Sequence, residues 1–102
     1  MSKPVSRLVI YRVKAGKEAE FLPILKQHAP ALTKLDLVTK DGVKAWRAAD
    51  VRKKQVAFVE MFRWKDENAS EVAHQAPEVM RVWEPMTPLL DGLELYDLDV
   101  VE

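Results

Sequence analysis

Apolar residues recur along this chain with two different periods. From Val5 to Val13 they occupy both alternating sets of positions, which predicts a strand buried on both faces. Ala15-Gly16 turns the chain. Phe21, Leu25, His28, Leu32 and Leu35 then follow at helical spacing, so a helix runs from about Lys17 to Leu35. Pro23 and Pro30 fall inside it and predict a kink or two shorter pieces. A turn at Asp41-Gly42 leads to a second strand, about Val43 to Val51. A short hairpin joins it to a third, from Gln55 or Val56 to Trp64. Asp66 can cap the next helix, and Glu67 suits its first turn. Pro77 restarts that helix at a favoured first position, and Val79, Val82, Trp83, Met86 and Leu90 line one side of its second half. Asp91-Gly92 is expected to end it before a fourth strand, Leu93 to Val101.

The predicted order is β-α-β-β-α-β, an α+β class with a four-stranded antiparallel sheet, and residues 1–102 form one domain. The third strand places Val56, Phe58, Phe62 and Trp64 on one face and Ala57, Val59 and Met61 on the other. Two helices cover only one face of such a sheet. A second copy of the chain is the simplest cover for the other, so a homodimer is expected.

Composition narrows the partners. Sixteen basic and sixteen acidic residues give a formal net charge of zero, which argues against a nucleic-acid or anionic-membrane partner. Arg52-Lys53-Lys54 is the densest basic cluster and reads as a solvated hairpin tip. The absence of cysteine excludes disulfides, thiol nucleophiles and thiolate metal sites. No apolar run is long enough for a membrane span or signal peptide, so a cytoplasmic protein is expected. The three glycines do not cluster into a phosphate-binding loop.

The candidate chemistry centres on Glu60, a carboxylate in the middle of an apolar strand. If Val51 pairs with Val56, Arg47 lies opposite Glu60 and the two form a buried ion pair. A register slip by one residue would bring Trp46 there instead. Unpaired and desolvated, Glu60 could act as a general base. His74 lies on the flank of the apolar face formed by Ala69, Val72, Ala73 and Ala76, beside Glu71 and Glu78. It is either a half-exposed helix histidine or a second proton acceptor. His28 lies on the apolar stripe of the first helix, where its ring needs a hydrogen-bond partner or a pocket. Phe58, Phe62, Trp64 and Trp83 are core residues or the walls of a pocket for a small apolar or aromatic molecule, to which Tyr11 could add a hydroxyl. A metal held by His28, His74 and Glu60 lacks the close spacing of a ligand motif, so no metal and no cofactor is expected.

The element order, together with Tyr11-Arg-Val-Lys-Ala-Gly16, Glu60-Met-Phe-Arg-Trp64, Asp66-Glu67, Ala73-His74, Pro77 and Pro88-Leu89-Leu90, resembles the antibiotic biosynthesis monooxygenase-like family. That family belongs to the dimeric α/β-barrel superfamily with its ferredoxin-like fold. The resemblance covers nearly the whole chain and implies a homodimer with one apolar cleft per subunit, between the sheet and the helices. Some members oxygenate polycyclic phenols without a cofactor, some degrade haem, and many have no assigned activity. The resemblance implies a site built on Trp64 at the end of the third strand. Phenol-oxidising members tend to carry Asn four residues before that Trp, where this chain has Glu60. Haem-degrading members pair a similarly spaced Trp and His with an Asn on the first strand. Here that strand offers Val9 and Ile10, and Asn68 is the chain's only Asn, which counts against haem degradation. A cofactor-independent monooxygenase is the favoured expectation, with Glu60 or His74 as base and Arg47 or Tyr11 stabilising an oxyanion. A cyclase or isomerase using the same cleft and a non-catalytic binding or scaffolding dimer are the alternatives.

Overall fold

The structure is a computed structural model and describes residues 3–101. Four strands, β1 Val5–Val13, β2 Lys44–Ala49, β3 Val56–Trp64 and β4 Leu90–Leu98, form one antiparallel sheet in the order β2-β3-β1-β4. The two central strands are those with apolar residues on both faces, as burial from both sides requires. Helices α1 Glu18–Leu25, α2 His28–Lys34, α3 Ala69–Gln75 and α4 Pro77–Met86 complete the predicted β-α-β-β-α-β order as two broken helical segments. The first breaks at Lys26-Gln27, between the two internal prolines. The second breaks at Ala76, whose extended backbone precedes Pro77 at the first position of α4. The Asp66 carboxylate accepts the Asn68 backbone N–H at 2.9 Å and so shapes the turn into α3.

Phe21, Leu32, Val79 and Ala73 are fully buried against Val9, Tyr11, Phe58 and Phe62 of the sheet. The rings of Tyr11, Phe21 and Phe58 stack in sequence, each 5.3 Å from the next. On the opposite face, Leu8, Ile10 and Val59 are half-buried, and Trp46, Met61, Tyr96 and Leu98 are exposed.

Several boundaries differ from expectation, among them the end of β4, at Leu98 and not Val101. Strand β4 begins at Leu90, so Asp91-Gly92 lies inside it and does not end a helix. Helix α4 instead closes at Met86 through a 3-10 turn, Thr87–Leu89. The Lys14 N–H donates to Leu89 O at 2.8 Å, and Gly92 pairs with Arg12 beside an irregularity in the β1–β4 ladder. A Cβ at Gly92 would lie 3.7 Å from the Arg12 side chain, an ordinary van der Waals contact, so crowding does not demand glycine there. Strand β2 stops at Ala49. Asp50 accepts the backbone N–H groups of Arg52 and Lys53, each at 2.9 Å, and builds a longer hairpin turn than the sequence suggests.

The turn sets the hairpin register. Ala49 pairs with Val56, and therefore Ala45, not Arg47 or Trp46, lies opposite Glu60. Arg47 pairs across from Phe58, and its guanidinium bonds the exposed Glu18 carboxylate at the start of α1. The expected Glu60–Arg47 ion pair is absent from the described residues, and Arg47 takes no part in the site.

Candidate active site

The period of two along β3 points Phe58, Glu60, Phe62 and Trp64 toward the helices, and the β1 register places Val9 opposite Glu60 and Tyr11 opposite Phe58. Glu60 is thereby carried into the core, where it is 1 % exposed. Its partners are two donors from different elements. The Tyr11 hydroxyl donates to Oε1 at 2.8 Å, and His28 Nδ1 lies 2.8 Å from Oε2 and 3.0 Å from Oε1. The His28 ring is fixed from its other side by the Trp83 indole N–H, 2.8 Å from Nε2. A chain of four polar groups, buried except at the half-buried Trp83, thus joins β1, α2, α4 and β3.

Hydrogen-bond directions follow from the chemistry of the ends. An indole N–H can only donate, so His28 Nε2 accepts and the imidazole proton sits on Nδ1. His28 is therefore neutral and donates to Glu60, which accepts from both partners as a carboxylate. Two directed hydrogen bonds offset part of the cost of holding this charge out of water. Burial, followed by the adjacent Glu60 charge and hydrogen bond, pushes the Tyr11 phenol well above its ordinary range, so it remains a donor at neutral pH.

A cavity of about 170 Å³ opens beside this chain, between the sheet and the helices. Tyr11, His28, Phe62, Trp64 and Trp83 contribute aromatic or polar wall. Val9, Met86 and Leu90 add aliphatic surface, and Leu93 and Leu95 of the edge strand form a rim. Both rim leucines are about half exposed, so the cavity is open on the β4 side. Glu60 is not on the wall; Tyr11 and His28 stand between its carboxylate and the cavity. His74 does reach the wall, although its residue is exposed. Its Nδ1 donates to the Ser70 carbonyl at 2.7 Å, so Nε2 is the nitrogen left to exchange a proton, and the ring stands edge-on to Trp83 at 4.8 Å.

The structure therefore gathers Tyr11, His28, Phe62, Trp64, His74 and Trp83 around one cavity, with Glu60 directly behind. Phe58 lies in the core against Phe21 and does not line the cavity; its neighbour Tyr11 occupies that position. The alternatives of an ion-paired Glu60 and an unpaired one both give way to a third: a carboxylate held by two neutral donors. Among the described residues no cluster of three His, Cys, Asp or Glu side chains is placed to hold a metal.

Sequence reasoning overlooked Arg7 and Ser70. Arg7 bonds Asp97 at 2.5 Å, lies 5.9 Å from the Trp64 ring centre, and lines the cavity. Its position in β1, two residues before the inward-facing Val9, is the signal that could have found it. The Trp64 indole N–H is buried with no hydrogen-bond partner among the described residues.

No protein-family model matches the chain, and no curated protein matches it by sequence. Solved structures do match by fold. A variant of SnoaB, a cofactor-independent oxygenase from Streptomyces nogalater, superposes with a TM-score of 0.76 at 17 % identity, covering 99 % of this chain and 96 % of that one. A protein of Bacteroides thetaiotaomicron, named as a candidate antibiotic biosynthesis monooxygenase, gives 0.74 at 17 % identity over 98 % of this chain and 91 % of that one. A dimeric ferredoxin-like protein of unknown function from Jannaschia sp. gives 0.68 at 19 % identity over 95 % and 99 %. Over almost its whole length, the chain has the ferredoxin-like fold shared by structures named antibiotic biosynthesis monooxygenases.

Proposed function

We propose that this protein is a homodimeric, cofactor-independent monooxygenase for a small hydroxylated aromatic molecule. The observation that carries the proposal is an apolar cavity with a buried carboxylate directly behind its wall. A closed apolar cavity of roughly 150 Å³ accommodates a benzene ring. The 170 Å³ here, open past Leu93 and Leu95, therefore suits one or two fused rings better than a larger polycycle.

The reaction needs proton acceptors, exclusion of water and molecular oxygen as co-substrate. Removal of the hydroxyl proton delocalises negative charge onto a ring carbon. That carbon transfers an electron to oxygen, the radical pair forms a C–O bond, and the peroxide takes up a proton. Loss of the remaining proton on that carbon then breaks the O–O bond and releases water, leaving a quinone. One oxygen atom enters the product and the other leaves as water. Glu60 behind the wall and His74 on it are the two proton acceptors, and the aromatic walls orient the ring and exclude solvent.

The fold shared with a cofactor-independent oxygenase supports this reading, and the apolar outer face of the sheet supports the dimer. Purified protein supplied with a naphthol and air, with no added cofactor, should consume oxygen and form quinone. Glu60→Gln should lower the rate by about a hundredfold. Failure to consume oxygen across one- and two-ring phenols would remove the proposal. Turnover of such a substrate under strict anaerobiosis would instead assign the cavity to acid–base cyclisation or isomerisation.

A further inference from the structure

The four-residue chain has a direction, and Trp83 sets it. Because the indole can only donate, His28 Nε2 is occupied as an acceptor and the ring's single proton points at Glu60. The histidine therefore has no free lone pair to offer a molecule in the cavity. Tyr11 differs. Its proton is directed at Glu60 Oε1, and no donor among the described residues reaches its oxygen. Both residues line the cavity and both touch Glu60, but only Tyr11 keeps an open acceptor.

We propose that Trp83 is a positioning residue: by donating to His28 Nε2 it closes the histidine route and leaves Tyr11 as the path by which a substrate hydroxyl proton reaches Glu60. In that step the substrate O–H bond breaks and its proton bonds to the Tyr11 oxygen, while the Tyr11 proton moves to Glu60 Oε1. One negative charge passes from Glu60 to the substrate oxygen, and nothing is oxidised. The inference rests on the reading above only in taking the cavity to bind a hydroxylated aromatic. It does not depend on oxygen.

The test has a ligand-free arm and an anaerobic arm. Side-chain nitrogen NMR of the wild-type protein near pH 7 should show the His28 proton on Nδ1 and a bare Nε2. Trp83→Phe, which keeps an aromatic wall, should release the ring so that its proton is shared between both nitrogens. Under anaerobic conditions the wild type should bind a naphthol as its anion, visible in absorbance. Tyr11→Phe should leave the bound naphthol at least about tenfold less ionised and, because the anion-bound state is lost, weaken its binding by up to about the same factor.

A wild-type His28 protonated at Nε2, or an unchanged nitrogen pattern in Trp83→Phe, would overturn the proposal. So would full ionisation of naphthol by Tyr11→Phe, or its binding to the wild type in neutral form. If Trp83→Phe does not fold, the wild-type spectrum and Tyr11→Phe still decide. A naphthol bound as its anion with no oxygen uptake in air would refute the oxygenase while leaving this inference standing. Absence of naphthol binding would overturn both.

Discussion

At the scale of single residues, the protein retains a charge in its core on two neutral donors. The cost of desolvating Glu60 is offset in part by the Tyr11 and His28 hydrogen bonds. The same contact makes Tyr11 a pH-sensitive element of stability. Its folded pKa is raised, first by burial and then by Glu60, so the folded state holds the phenolic proton where the unfolded chain releases it. The Tyr11 contribution is therefore fully present below about pH 10 and is lost as pH rises through the higher folded value. Urea unfolding followed above pH 10 should show stability falling more steeply for the wild type than for Tyr11→Phe. The difference should be at most about 1.4 kcal/mol per pH unit. Equal slopes would mean that Tyr11 ionises freely and is not sealed against Glu60. Mid-strand Glu60 and apolar-stripe His28 were each visible in the sequence as polar groups in need of a partner. That they satisfy each other was not, because β3 and α2 meet only in the folded chain.

At the scale of elements, a two-residue difference in one hairpin register changes which side chain can reach the site. The longer turn from Asp50 carries Arg47 to Phe58 and Glu18 and leaves Ala45 beside Glu60. Removing this guanidinium should therefore have little effect on the cavity. Arg47→Ala is expected to bind naphthol within about twofold of the wild type in a fluorescence titration, as is usual for a surface change remote from a site. A loss of tenfold or more would show that Arg47 does contact the cavity. The prolines were better guides than the hairpin, because the steric restriction before Pro77 acts locally. The start of β4 was misplaced for the opposite reason. Asp-Gly is a turn signal, yet here the dipeptide continues β4, because Gly92 is held by pairing with Arg12 of the neighbouring strand.

At the scale of the whole molecule, the sheet has two unequal faces. One carries the core and the cavity. The other leaves Trp46, Met61 and Tyr96 exposed around half-buried Ile10 and Val59. Covering that face with a second copy is the dimer proposed here, and a charge at its centre should prevent it. Val59→Asp is expected to sediment at the mass of a single chain while retaining the helical signal of the wild type. A dimer that persists in this variant would place the contact elsewhere. The cavity lies on the other, helical face, opposite the surface the second copy would cover.

The sequence by itself determined the element order, the strands that needed cover on both faces, and the inward face of β3. These follow from local periodicity and from the conformational limits of proline. Of the residues it singled out, six line the cavity and Glu60 lies behind it; alternation along a strand turns Tyr11, Glu60, Phe62 and Trp64 inward, and helical spacing sets His28 and Trp83 toward the sheet. Only the tertiary structure decided what Glu60 touches. The register of β3 against β1, the seating of α2 and the reach of Trp83 from α4 are long-range matters of packing. They turn a carboxylate that could have been an ion pair or a bare base into one end of a directed chain of hydrogen bonds.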